Sequence, residues 1–173
     1  MGPRVKTAVQ KRFCDIDPFR HVNNTAQYAY LDLGKTDLFA RLGVGSVARG
    51  TSAVTVSAHT DFMVQIRYED EITVESEVES VGHKSITLMQ RIVRSDGVEC
   101  TRCRAVMVAF DMAAQSSVEV PETWREALRG GDLKIRSFRI VVNGRFISVA
   151  IEITSDKRFS AAVRGRHTAE ILD

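Results

Sequence analysis

The residues best suited to chemistry lie in one short stretch, RFCDIDPFRHVNN, at residues 12–24. Two carboxylates, Asp15 and Asp17, are two positions apart, and His21 follows four positions after Asp17. The stretch ends in two asparagines, which are good helix N-caps. This pattern predicts a loop that delivers carboxylates to the N-terminus of a helix.

Such a junction is suited to acyl chemistry. The first N–H groups of a helix have no partner within the helix and carry a partial positive charge, so they can hold a carbonyl oxygen and stabilise an oxyanion. A nearby carboxylate can attack the carbonyl carbon or take a proton from water. The alternative is that Asp17 is only a cap and His21 only a structural hydrogen-bonding residue, because capping is the usual role of such residues.

The elements around this loop alternate in type. Residues 4–14 alternate like a strand, Pro18 and several charges interrupt them, and a helix is predicted from Asn23 or Asn24 to about Gly43. Apolar residues cover more than one stripe of that helix, which predicts burial on most of its sides.

A period of two follows the helix. It predicts an antiparallel four-strand meander, in which the Asp96-Gly97 turn marks one hairpin, and Pro121 begins a short closing helix. The predicted strands cover residues 52–66, 71–82, 83–95 and 98–112.

We divide the chain into residues 1–128 and a C-terminal basic extension, residues 129–173. The extension has nine Lys and Arg against five Asp and Glu, and Asn143-Gly144 lies between alternating apolar runs, which predicts a β-hairpin. Because an isolated hairpin is marginally stable, we expect it to pack on the outer face of the sheet or on a neighbouring protomer.

Composition narrows the class of protein. The formal net charge is +2, no apolar stretch is long enough for a membrane span, and the N-terminal residues form no apolar signal, so a cytoplasmic protein is expected. Cys100 and Cys103 form a C-x-x-C motif, but their odd spacing within a strand should direct them to opposite faces. Because the three cysteines are an odd number, a disulfide framework is not expected. Because the histidines are scattered along the chain, a metal site is not expected either.

The string R-F-x-D-x-D-P-x-x-H-V-N-N-x-x-x-Y, followed by an apolar helix, resembles the signature of the 4-hydroxybenzoyl-CoA thioesterase-like acyl-CoA thioesterases. The segment from His59 to Val93 and the closing PETWREAL are similar to later parts of that family, so the resemblance covers about residues 4–128. It implies an α+β hotdog fold, in which a curved antiparallel sheet wraps one long helix. It also implies a homodimer or homotetramer.

The resemblance also implies site residues. Asp17 matches the catalytic carboxylate, which acts as nucleophile or general base, and Asn24 matches the residue whose backbone N–H polarises the thioester carbonyl. His21 is placed with these two as a positioning group. Asp15 matches a structural position that fixes the loop.

Four further residues match substrate-binding positions. Asn23 and Tyr28 match the H-V-N-N branch, which acts on fatty or aromatic acyl-CoA, and Lys84 and Ser85 fall where members contact CoA. The implied reaction hydrolyses acyl-CoA without a metal or redox cofactor, and neither nucleic acid nor a membrane is an expected partner. The alternatives are a hotdog enoyl-CoA hydratase or dehydratase and a non-catalytic acyl-CoA-binding protein.

Overall fold

The computed structural model describes residues 2–45 and 50–130 with their side chains, and the backbone of three strands beyond them. The chain forms two compact units, Met1–Gly130 and Gly131–Asp173, named here the body and the C-terminal unit. None of the helices within the described residues combines the length and the apolar character needed to cross a membrane.

The body is one antiparallel sheet packed against one long helix. Its elements are β1 (Arg4–Val9), a 3₁₀ helix (Phe13–Asp15), α1 (Asn24–Leu42), β2 (Thr51–Phe62), β3 (Ile72–Val81), β4 (Ser85–Arg94), β5 (Glu99–Asp111), β6 (Ser116–Ser117) and α2 (Glu122–Arg129). The strand order is β1-β3-β4-β5-β2, with β6 paired to β5, and α1 contacts β1, β3 and β4. The predicted α+β hotdog fold is confirmed.

The predicted four-strand meander is wrong in one respect. Only β3, β4 and β5 follow one another as neighbours, whereas β2 pairs with β5 at the far edge and β1 pairs with β3. The connection over residues 63–71 is too long for a tight hairpin turn, and it carries the chain from β2 at one edge of the sheet to β3, the strand next to the opposite edge strand β1.

The predicted ends of α1 are confirmed. The side chain of Asn23 caps the helix by accepting the Thr25 N–H, and Gly43 ends it with a left-handed φ of 66°. The predicted burial on most sides is wrong, because the sheet of a single chain covers only one face. The opposite face leaves Tyr28 44% exposed and Leu33 47% exposed.

The outer face of the sheet carries a cluster of paired charges on β1, β3 and β4. Glu75, on the strand face opposite the buried Val74, forms ion pairs with Arg4, Lys6 and Arg91.

The two cysteines of the C-x-x-C motif do not lie on opposite faces of β5. A register shift between β4 and β5 leaves Cys100 out of the ladder, so both Cys100 and Cys103 are buried in the same apolar cluster. Burial raises the pKa of both thiols. The prediction failed because a bulge adds one residue to the strand and changes the alternation.

The C-terminal unit contains a three-stranded sheet in the order β7-β8-β9. Its strands are β7 (Lys134–Asn143), β8 (Phe146–Thr154) and β9 (Ala169–Glu170). Strands β7 and β8 are antiparallel, with Asn143 opposite Phe146. The predicted turn residue Gly144 lies outside the described residues.

Candidate active site

The loop between the 3₁₀ helix and α1 is a miniature hairpin. Ile16 and Val22 form an antiparallel bridge. Within it, the Asp17 N–H donates to the His21 carbonyl at 2.8 Å, and the Arg20 N–H donates to the Asp17 carbonyl at 3.0 Å. Arg20 closes the turn with φ of 65°, a region in which glycine is less strained than arginine. These bonds fix the position of Asp17.

The two carboxylate oxygens of Asp17 have different surroundings. Its Oδ1 accepts the backbone N–H groups of Phe19 at 2.9 Å and His21 at 3.1 Å. Its Oδ2 has no hydrogen-bond donor among residues 2–45 and 50–130, and the side chain is half-buried. One oxygen therefore holds the loop while the other remains available to a substrate or a water molecule.

The first turn of α1 supplies the second part of the site. The Asn23 N–H donates to the Asp15 carbonyl at 2.8 Å, and the Asn23 side chain accepts from the backbone and hydroxyl of Thr25. Within the described part of the chain, the Asn24 N–H meets no acceptor. It is a free donor at the positive end of a 19-residue helix.

The buried Asp15 holds both the Asp17 loop and the first turn of α1 in position. Its carboxylate is 3% exposed and accepts the Arg12 N–H at 2.8 Å, the Arg12 guanidinium at 2.8 Å and the Tyr30 hydroxyl at 2.6 Å. Burial opposes its ionisation, but the bonds from Arg12 and Tyr30 outweigh it and lower the pKa of Asp15 from 3.8 to about 2. This geometry agrees with the structural role that the resemblance implies for Asp15.

Two buried polar residues on α1 are not among the predicted site residues. Burial and the Asp15 carboxylate raise the pKa of the Tyr30 hydroxyl. Gln27 accepts from the Thr101 hydroxyl on β5 and donates to the Val22 carbonyl at 3.3 Å. A buried tyrosine usually needs a partner for its hydroxyl, so the nearby loop carboxylates were a usable signal for Tyr30.

The other predicted residues lie at different distances from Asp17. His21 is in the same loop, but its contacts with Asp17 are made by its backbone. Tyr28 lies on the second turn of α1, where its ring packs edge-on against Phe62 with centroids 5.9 Å apart. Both leave their side-chain polar atoms without a hydrogen bond to the described residues.

Lys84 and Ser85 are not brought to this loop within one chain. They lie where β4 begins, and β4 runs ten residues to Arg94, a length of roughly 30 Å. At the other end of β4, the Arg94 guanidinium lies 4.0 Å from the Asp70 carboxylate. Asp70 accepts the Arg67 N–H, and Arg67 is bridged to His21 in the candidate site. Lys84 instead donates to the Ser117 carbonyl at 3.2 Å.

Residues 12–128 match the model of the thioesterase-like superfamily. The chain is 26% identical over 120 residues to the uncharacterised protein YsmA of Bacillus subtilis (strain 168), covering 69% of this chain and 82% of YsmA. The match to the superfamily model confirms the family predicted from the motif at residues 12–24.

Solved structures agree with the fold. A predicted thioesterase from Bacillus stearothermophilus is 26% identical with a TM-score of 0.67, covering 73% of this chain and 94% of that one. A thioesterase from Thermus thermophilus, complexed with coenzyme A and Zn, is 25% identical with a TM-score of 0.65, covering 72% of this chain and 90% of that one. In the described part of this chain, no three His, Cys, Asp or Glu residues are grouped so as to hold a metal ion.

Proposed function

Because this chain belongs to the thioesterase-like superfamily, we propose that it hydrolyses the thioester of an acyl-CoA to a free acid and coenzyme A. The observation that supports this proposal is the arrangement of Asp17 and Asn24. A carboxylate with one anchored and one free oxygen lies in the loop that leads directly to a helix with an unpaired first N–H.

The proposed reaction begins with the thioester carbonyl oxygen on the Asn24 N–H. The free Oδ2 of Asp17 then attacks the carbonyl carbon, or takes a proton from a water molecule that attacks it. Negative charge collects on the carbonyl oxygen, where the helix N-terminus stabilises it. When the C–S bond breaks, coenzyme A leaves as a thiolate. On the water route, the proton that Asp17 took from water passes to this thiolate and the acid is released directly. On the attack route, a water molecule then hydrolyses the acyl anhydride formed on Asp17, which releases the acid, restores the carboxylate and supplies the proton of the thiol. A metal or redox cofactor has no role in these steps.

Substitution of Asp17 by asparagine tests this proposal sharply. The amide oxygen can still accept the N–H groups of Phe19 and His21, so the loop keeps its anchor and only the chemistry of the second oxygen is lost. We expect kcat to fall by about a hundredfold or more, with KM changed by a few-fold at most. His21→Ala should lower kcat less, because His21 is assigned to positioning.

The assay is thiol release from a panel of aliphatic and aromatic acyl-CoA substrates. Asp111→Asn is the matched control, because Asp111 at the end of β5 also accepts two backbone N–H groups on its Oδ1, from Ala113 at 2.8 Å and Ala114 at 2.9 Å. Near wild-type turnover in Asp17→Asn would contradict the mechanism and favour an acyl-CoA-binding protein. An equal loss in His21→Ala would favour a hydratase.

We also propose that the active species is a homodimer or homotetramer. Strand β2 pairs only with β5 among the described strands, and its residues include no Lys, Arg or Pro, although such residues commonly protect an edge from pairing. It exposes Val54 and Val56, and its last residue, Phe62, packs against Tyr28 on the exposed face of α1. A second copy would cover both surfaces, and Lys84 and Ser85 can contact the substrate only from such a copy. Sedimentation equilibrium tests the assembly.

A further inference from the structure

Two arginines beside the candidate site differ from most of the described arginines of the body. Arg4, Arg12, Arg41, Arg91, Arg94, Arg102, Arg104 and Arg125 each have a carboxylate within 4 Å. Within residues 2–45 and 50–130, Arg20, Arg67 and Arg129 have none. Arg20 and Arg67 are both exposed, so their guanidinium groups are available to an anion from solution.

Arg20 and Arg67 lie next to each other in the fold. Arg67 forms an isolated antiparallel bridge with His21, the residue that follows Arg20. Bridged Cα atoms are about 5 Å apart and successive Cα atoms about 4 Å, so the two arginine Cα atoms are within roughly 9 Å. The backbone of Arg67 is fixed by its N–H bond to Asp70 at 2.8 Å. Two cations with no carboxylate partner among the described residues therefore lie on neighbouring segments beside Asp17.

Exposed aromatic rings adjoin these cations. Tyr68 follows Arg67 and is 51% exposed, and it packs edge-on against Phe13, which is 86% exposed, with centroids 6.4 Å apart. Rings this exposed have little stabilising role in the body. Guanidinium groups bind phosphate through paired hydrogen bonds, and aromatic rings stack with nucleobases. We name Phe13, Arg20, Arg67 and Tyr68 the nucleotide patch.

We infer that the nucleotide patch binds the adenosine 3′-phosphate 5′-diphosphate part of coenzyme A, with Arg20 and Arg67 on the phosphates and the adenine against Phe13 or Tyr68. This inference rests on the proposed function, because the thioester must lie at Asp17 while the nucleotide lies on the adjoining surface. It assigns nucleotide recognition to the chain that supplies Asp17, and not to Lys84 and Ser85 at the far end of β4.

The test compares Arg20→Gly, Arg67→Ala and their double variant with Arg129→Ala, the matched loss of an unpaired arginine away from the loop. Arg20→Gly should fold normally, because glycine adopts the φ of 65° found at this position without strain. Each single substitution should raise KM for acyl-CoA about tenfold, since a charged hydrogen bond contributes enough for that factor. In Arg67→Ala, a residue outside the Asp17 turn, KM for the same acyl group on pantetheine, which has no nucleotide, should stay unchanged.

Direct binding separates this inference from the proposed function. If wild-type protein hydrolyses no thioester, isothermal titration with CoA and with adenosine 3′,5′-diphosphate still decides the inference: weaker binding in the double variant, and unchanged binding in Arg129→Ala, supports it. Equal losses for acyl-CoA and acyl-pantetheine would overturn it. So would loss of CoA affinity in Lys84→Ala with none in the arginine variants, or arginine effects confined to thioesters on acyl carrier protein.

Discussion

Replacing Tyr30 with phenylalanine should measure how strongly the buried Asp15 contact stabilises the body. The substitution removes only the hydroxyl that donates to Asp15 Oδ2 at 2.6 Å, while the ring can keep its packing. A hydrogen bond to a charged group contributes about 1.5–3 kcal/mol to stability. We therefore expect the free energy of unfolding at pH 7 to fall by about 2 kcal/mol, measured by urea denaturation.

The effect of Tyr30→Phe should also depend on pH. Because the pKa of Asp15 is lowered from 3.8 to about 2, its stabilising contribution is complete above the unfolded pKa and is lost as the pH falls from about 4 through 2. Each pKa unit corresponds to about 1.4 kcal/mol, so the shift represents roughly 2 kcal/mol. With one donor fewer, the variant has a higher Asp15 pKa, so the stability difference from wild type should narrow on acidification.

Tyr28→Phe is the matched control on the same helix. Tyr28 is 44% exposed, and its hydroxyl forms no hydrogen bond with the described residues, so we expect a change below about 0.5 kcal/mol at any pH. Equal losses in the two variants, or a Tyr30→Phe loss that stays constant between pH 7 and pH 3, would refute the account of Asp15.

Three further substitutions or deletions test the packing of the body and the role of the C-terminal unit. Gly34→Ala should lower the free energy of unfolding by about 2 kcal/mol, measured by urea denaturation, because its Cβ would lie 2.9 Å from the Ser76 hydroxyl and 3.0 Å from Val74 Cβ. Thr101→Val should cost about 1–3 kcal/mol in the same assay, because it leaves the buried Gln27 amide oxygen without its donor. Truncation after Gly130 should preserve thiol release but weaken the oligomer in sedimentation; intact assembly with reduced acyl-CoA affinity would contradict this.

Local signals predicted much of the fold. The Asn23 cap and Gly43 delimit α1 to within one residue, because the determinants of helix ends are close in sequence. The alternating runs predicted β2 to β5, but not that β2 would pair with β5. Strand order depends on which edge the chain reaches after a long connection, and alternation contains no information about that.

The sequence motif predicted which residues form the candidate site, but it did not predict the contacts between them and the rest of the fold. The motif identified Asp15 and Asp17, yet the bond between Asp15 and Tyr30 joins residues fifteen positions apart that only the fold brings together. The bulge at Cys100 was not predicted, because strict alternation of side chains along a strand assumes that the strand pairing contains no extra residue. Lys84 and Ser85 match a family position in sequence, but whether such a position meets the loop depends on assembly, which a single chain does not specify.

Two aspartates of one short loop have different surroundings, because different hydrogen-bond donors reach them. The Asp15 carboxylate accepts hydrogen bonds from a guanidinium, a hydroxyl and a backbone N–H, so both of its oxygens help to hold the loop. Asp17 receives two backbone N–H groups on one oxygen only. An exchange of roles would need new donors at Asp17 and the loss of those at Asp15. The Asp15→Asn variant should therefore destabilise the body and reduce activity only in proportion to unfolding or misplacement of the loop. Asp17→Asn should instead lower kcat by about a hundredfold or more in a protein of normal stability.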